Sequence, residues 1–253
     1  MDYIYVFSTL ATGLILGSFM SVLVFRLDVR SGIISGRSEC PRCLTRLKWY
    51  DLVPLLSFIY LGAKCRYCKN KISAVYPAME LATAGVFVTY SFLNGYSSLN
   101  SFYELAIIFI LLALLFSDYI FYILPDKLII AGFLISLAYF LLFKFEIVGS
   151  SLITGLVLSA TFAILNIVSG GRWMGLGDAK LAFFIGFVLS YPSGVWAILI
   201  SIWIGAIWGI VLVLLKRANL KTHLPFGSFM AAVAVLLIIF QKHEIWIPLI
   251  PRL

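Results

Sequence analysis

Charge is scarce in this chain. Only 12% of its 253 residues are Asp, Glu, Lys or Arg, against 62% hydrophobic, whereas a soluble domain is usually about a quarter charged. That excludes a soluble globular domain, which has too few polar groups here to cover its surface. Histidine is almost missing: His223 and His243 are the two copies. Neither has partners at metal-ligand spacing, and both are expected to be solvated. No H-E-x-x-H occurs, which excludes the helix-borne zinc protease motif. No G-x-G-x-x-G dinucleotide turn is spelled. Ser117 has no Lys or His beside it in sequence, so an activated serine nucleophile has no support. Internal repeats and low-complexity segments are absent too.

What is present is a succession of apolar runs near the ~20 residues needed to cross a bilayer. The expected class is an all-α polytopic membrane protein. Spans fall at about 4–25, 77–95, 102–123, 128–143, 149–169, 179–191, 195–215 and 226–241. The range is six to eight, because the sixth run is short and ends at Tyr191-Pro192-Ser193-Gly194. The first run reads as a retained span; no basic residue precedes it and Arg26 follows.

Cation placement sets the expected orientation. With the N-terminus outside, segments 26–76, 124–127, 170–180 and 216–225 are inside and hold 16 of the 19 Lys and Arg. Cytoplasmic loops carry that excess, so both termini are expected outside. The net charge of +8 then needs no nucleic-acid partner, since the cations lie where anionic lipid attracts them.

The four cysteines are all in the polar island 26–76, as Cys40-x2-Cys43 and Cys65-x2-Cys68. Each C-x-x-C turn aims two sulfurs at one centre, and two such turns suit a tetrahedral zinc ion. Disulfides are disfavoured by the reducing cytosol. Four thiolates leave no open position, so the metal is expected to fold the loop rather than catalyse. Arg42, Lys64, Arg66 and Lys69 are near enough in sequence to offset its charge. The expected division is a first helix at 1–25, a cytosolic zinc-binding segment at 26–76 and a membrane bundle at 77–253.

Of eleven acidic residues, Asp118, Asp126 and Asp178 fall at one depth near the inner boundary. Asp118 is embedded in LLALLFSDYIFYILPD, and Asp178 closes Met174-Gly175-Leu176-Gly177-Asp178. Intramembrane charges are rare and usually face a bundle interior. Two facing carboxylates share a proton, one ionised and one protonated, as acid–base hydrolysis of a peptide requires. Gly175 and Gly177 permit close backbone approach by an extended substrate and unusual backbone angles. The plainer alternative makes Gly-x-Gly a connector and Asp178 the cap of span six. Asp126 is expected to cap its helix or pair with Lys127. Asn166 and Glu80 either tune the site or hydrogen-bond another helix.

Across nearly its whole length the sequence resembles the type IV prepilin peptidases, intramembrane aspartyl proteases of the Gly-x-Gly-Asp kind. The likeness rests on Leu16-Gly17-Ser18-Phe19 with Arg26, Cys-Pro-x-Cys at 40–43, Trp49-Tyr50-Asp51 and Val53-Pro54-Leu55-Leu56-Ser57. It continues through Gly62, Lys64-Cys65-Arg66-x-Cys68, Ile72-Ser73, Tyr76-Pro77 and Glu80. Asp118 eight residues before Asp126, Met174 to Lys180, and Pro225-Phe226-Gly227 complete it. The chain departs from a common pattern at Ser228 and at Asp28, where proline is frequent. The resemblance implies cleavage of a short basic leader from prepilins or pseudopilins at the cytosolic face of the bacterial inner membrane. It implies Asp118 and Asp178 as the catalytic pair. It also implies S-adenosylmethionine-dependent methylation of the new N-terminus, with no cofactor residues readable. The enzyme's own basic island would repel a basic leader, which Glu39, Asp51 and Glu80 could offset. The competing readings are a proton- or ion-coupled transporter using the same aspartates and a non-catalytic membrane anchor for a zinc domain.

Overall fold

The structure is a computed structural model that describes residues 3–26, 37–95, 98–172, 174–217 and 224–240. Asp28, His223 and His243 lie outside the described residues. Among these residues the fold is all helical, apart from two isolated bridges, Glu39 with Arg46 and Lys64 with Lys71. In chain order the helices are α1 Tyr3–Arg26, α2 Leu56–Tyr60, α3 Val75–Asn94, α4 Leu99–Phe121 and α5 Asp126–Phe143. There follow α6 Val148–Ser169, α7 Leu176–Leu189, α8 Ser193–Leu214 and α9 Phe226–Phe240. All but the short α2 coincide with the expected spans. Five of them (α1, α4, α5, α6 with its leading turn, and α8) are long and apolar enough to cross a bilayer. The chain is a multi-pass membrane protein.

It divides into two compact units, meeting at residues 101 and 102. In the first, α1 packs antiparallel along α3. A Cβ at Gly13 or Gly17 would lie 2.6 Å from the Cα of Ala84 or Glu80 respectively, so the Gly-Leu-Ile-Leu-Gly stretch lets two backbones touch.

In the second unit α7 is the central helix. The short sixth run forms α7, which is only 14 residues long and is buried on several sides, through Leu181, Ala182, Phe184, Ile185 and Phe187. A helix enclosed by neighbours has no need of full bilayer length or of an amphipathic stripe. Breaks between helices follow local chemistry. α6 ends at Gly170 in the left-handed region (φ +60), with the Gly171 amide returning to the Asn166 carbonyl at 2.8 Å. Pro125 precedes α5 and Pro225 precedes α9, each pre-set to start a helix.

Candidate active site and metal centre

Asp118 sits in the last turn of α4 and is 6% exposed. Its Oδ2 accepts the Ser228 amide at 2.6 Å and the Ser228 hydroxyl at 2.9 Å. Ser228 is in the first turn of α9, whose N-terminal end carries the positive pole of the helix dipole. Such close approach depends on Gly227: a Cβ there would lie 3.1 Å from Asp118 Oδ2 and 3.0 Å from Leu124 Cδ1.

Asp178 lies in the first turn of α7. Gly175, not Asp178, is the N-cap, and Asp178 reaches back to accept the Gly175 amide at 3.2 Å. The two carboxylates, from different helices, are within electrostatic reach of each other. Leu124, in the α4–α5 connection, touches both the Gly177 and the Gly227 positions, so the N-terminal ends of α7 and α9 converge on one point beside Asp118.

Three local expectations change. Gly175 has ordinary extended angles (φ −80, ψ 153), and Gly177 is a helical residue outside the positive-φ set. The unusual backbone lies earlier, at Gly170 and Gly171. Neither glycine is used for a special conformation: a Cβ at Gly175 would lie 3.7 Å from Asp178 Oδ2, and one at Gly177 would lie 3.4 Å from Leu124 Cδ1. Asp126 is the first helical residue of α5 and pairs with Lys180, not Lys127: both its oxygens lie 2.8 Å from Lys180 Nζ. That contact ties the start of α5 to the start of α7. Asn166 donates its side-chain amide to the Met174 carbonyl, holding the loop that enters α7.

In the first unit the four cysteines converge, with every pair of sulfurs within 4.8 Å and Cys40 Sγ 3.9 Å from Cys68 Sγ. None is in a disulfide. The two turns are built alike at one constant offset. The Cys40 amide bonds the Thr45 carbonyl and the Leu44 amide the Cys40 carbonyl; Cys65, Asn70 and Lys69 repeat the pattern. Leu44 and Lys69 both have positive φ, and each loop is closed by one of the two isolated bridges. The sequence hides this repeat because the matching lies in backbone geometry, with little side-chain identity.

Charge alone cannot keep four such thiolates together. The Thr45 hydroxyl and amide draw the Cys43 thiol down to about 6. For Cys68 an amide bond from Asn70 favours the thiolate, but burial and the neighbouring sulfurs push the thiol up to about 11. A cluster of this geometry and donor set can hold a metal ion.

The acidic residues near this centre are engaged locally. Asp51, whose side chain is 2% exposed, takes the Arg66 guanidinium at 2.7 Å, and the Lys48 amide and Tyr67 hydroxyl also reach it. Burial disfavours its charge, but these donors outweigh it and hold the carboxyl below the usual range. Arg66 is thus committed to Asp51 and to the face of Tyr50, 4.9 Å from its centroid, more than to the sulfurs. Glu39 faces Arg46 at 3.8 Å. Glu80, 8% exposed, accepts the Leu55 amide at 2.8 Å.

Ser228, Gly227, Leu124 and Lys180 had not been singled out for the aspartates. The sequence signal for the first two was the Pro-Phe-Gly-Ser stretch ahead of an apolar helix, which says nothing of what the helix end faces.

The chain resembles known proteins along most of its length. Residues 11–93 match the Bacterial Peptidase A24 N-terminal domain, and residues 105–210 match the Type IV leader peptidase family. The chain is 33% identical to the prepilin leader peptidase/N-methyltransferase of Bacillus subtilis (strain 168), over 88% of this chain and 90% of that protein. It is 31% identical to the protein of that name from Aeromonas salmonicida (strain A449), over 86% of this chain and 84% of that one. For the Pseudomonas aeruginosa protein the figures are 29% identity, 90% and 87%. No solved structure matches the chain. Likeness of this extent, running through both units and both clusters of polar residues, makes the chain a member of the type IV leader peptidase family.

Proposed function

We propose that this protein removes the leader from type IV prepilins or pseudopilins, with Asp118 and Asp178 as the catalytic pair. The observation that carries the proposal is that the first turn of α7, which bears Asp178, and the first turn of α9, which holds Asp118 at the end of α4, both close on Leu124. In hydrolysis the ionised member takes a proton from water. The other donates to the scissile carbonyl and then to the leaving amine. Ser228 supplies two donors to one oxygen of Asp118, which favours Asp118 as the ionised member. Gly175, with no side chain beside the Asp178 carboxylate, leaves space there for an extended substrate backbone, and Gly177 lets Leu124 close on α7. N-methylation of the new terminus with S-adenosylmethionine is proposed from the names of the relatives, and no residue is assigned to that cofactor.

Zinc is the metal proposed for Cys40, Cys43, Cys65 and Cys68. Bonds of ~2.3 Å at tetrahedral angles need sulfurs about 3.8 Å apart, and Cys40 and Cys68 already stand at 3.9 Å. Zinc there supplies folding free energy to a segment with little core of its own. The proposed division of labour places the metal in 26–76 and the peptidase chemistry in 77–253. Cation placement favours both termini outside and the metal segment on the cytosolic side of the inner membrane. The transporter reading is not favoured, because the family is one of peptidases.

The test is co-expression with a prepilin and mass measurement of the product. Loss of the leader supports the peptidase, and one added methyl mass supports the second activity. An intact precursor beside well-inserted enzyme would remove the function.

A further inference from the structure

The metal-bearing segment contains an apolar stretch, Leu52–Leu61, that the cysteines do not need. Leu56, Ile59 and Tyr60 on α2 are 68%, 72% and 82% exposed, and Trp49 nearby is 80% exposed. In a segment standing in water such a patch would be costly.

Its depth can be read from the helices. The Leu55 amide, at the start of α2, bonds Glu80 Oε2. Gly17 packs directly on the Glu80 backbone. Glu80 is five residues inside the start of α3, and Gly17 is nine residues inside the end of α1. At ~1.5 Å per residue, this level lies roughly 8 to 13 Å inward from the helix ends. The rim of the segment is cationic: Arg42, Arg46, Lys48, Lys64, Lys69 and Lys71 are all exposed.

We propose that Leu52–Tyr60 is a membrane-inserted wedge, its Leu56, Ile59 and Tyr60 side chains in the lipid of the metal-bearing leaflet, with the rim cations on anionic headgroups. Trp and Tyr suit that interface, and apolar contact combined with basic residues is the usual basis of interfacial binding. The metal turns are then held against the membrane surface rather than projecting from it. This inference is independent of the catalytic assignment.

The test uses full-length, metal-loaded protein in phosphatidylglycerol–phosphatidylethanolamine liposomes. A nitroxide is placed at Ile59→Cys and, as a reference, at Lys64→Cys, with unsubstituted protein labelled in parallel to account for the native thiols. Collisional access to oxygen relative to a water-soluble nickel chelate should be severalfold greater at 59 than at 64. Equal access to the chelate would place the patch in water and overturn the proposal. Protection from both reagents would mean protein covers it, whether substrate, a second copy or this chain, and would overturn it too. A measurement free of substitutions uses photoactivatable lipid and peptide mapping. Adducts within 52–60 are expected; adducts on the exposed Trp203 of α8 with none in 52–60 would refute the wedge.

Discussion

The amide and hydroxyl of Ser228 end on the same oxygen of Asp118, at 2.6 and 2.9 Å. The hydroxyl also lies 3.1 Å from the Leu115 carbonyl, so its single proton serves one acceptor at a time. Hydrogen bonds to a charged group contribute about 1.5–3 kcal/mol. Ser228→Ala keeps the amide and loses the hydroxyl. We expect kcat to fall about tenfold with KM nearly unchanged, and Ser228→Thr to restore most of it. An unchanged kcat in the alanine variant would show the hydroxyl to be serving Leu115 alone.

Gly227→Ala should be worse. Its Cβ would lie 3.0 Å from Leu124 Cδ1, a side-chain tip that can turn aside, and 3.1 Å from Asp118 Oδ2, which is held by Ser228 and must give by a few tenths of an ångström. A full ångström of misplacement costs on the order of a hundredfold in rate, so this smaller shift should cost between about tenfold and a hundredfold. Leader cleavage by the purified variant, with thermal melting as the control for folding, measures it.

Asp118→Asn and Asp178→Asn should each abolish cleavage while leaving membrane insertion intact, because each removes one half of the acid–base exchange. Processing at normal rate by either variant takes that residue out of the pair. Asp126→Asn instead loses an exposed ion pair with Lys180, worth at most ~1 kcal/mol, and should retain activity.

One zinc per chain is expected by elemental analysis. Cys40→Ser should lose it and lower the amount of folded protein, since metal binding and folding of such segments are coupled. Wild-type-like folding without metal would show the turns to be self-sufficient.

Asp51 gives a pH-dependent expectation. Its carboxyl is held below the usual range in the folded protein, against burial, by Arg66, the Lys48 amide and Tyr67. The stabilisation is therefore complete above the unfolded value of ~3.9 and lost as pH falls through the lower folded value. Arg66→Ala should lower the melting temperature at neutral pH, and the gap to wild type should begin to narrow below about pH 4 and close below the lowered folded value. A gap independent of pH would assign the loss to Arg66 packing on Tyr50.

The sequence by itself determined every helix but α2, because long apolar runs satisfy their own backbone as helices where water is absent. It determined the two C-x-x-C turns of the cysteine cluster as well, because that spacing is a local geometry. It singled out Asp118 and Asp178, because a carboxylate inside or at the edge of an apolar run is costly to bury and is rarely kept without a use. Only the tertiary structure decided what surrounds them. Ser228 lies 110 residues from Asp118 in the chain, and Lys180 lies 54 from Asp126; pairings at such distance follow from which helix ends meet, not from local pattern. The same holds for Leu55 and Glu80. Nothing in the order of the polar island shows that a buried carboxylate five residues into α3 accepts its Leu55 amide.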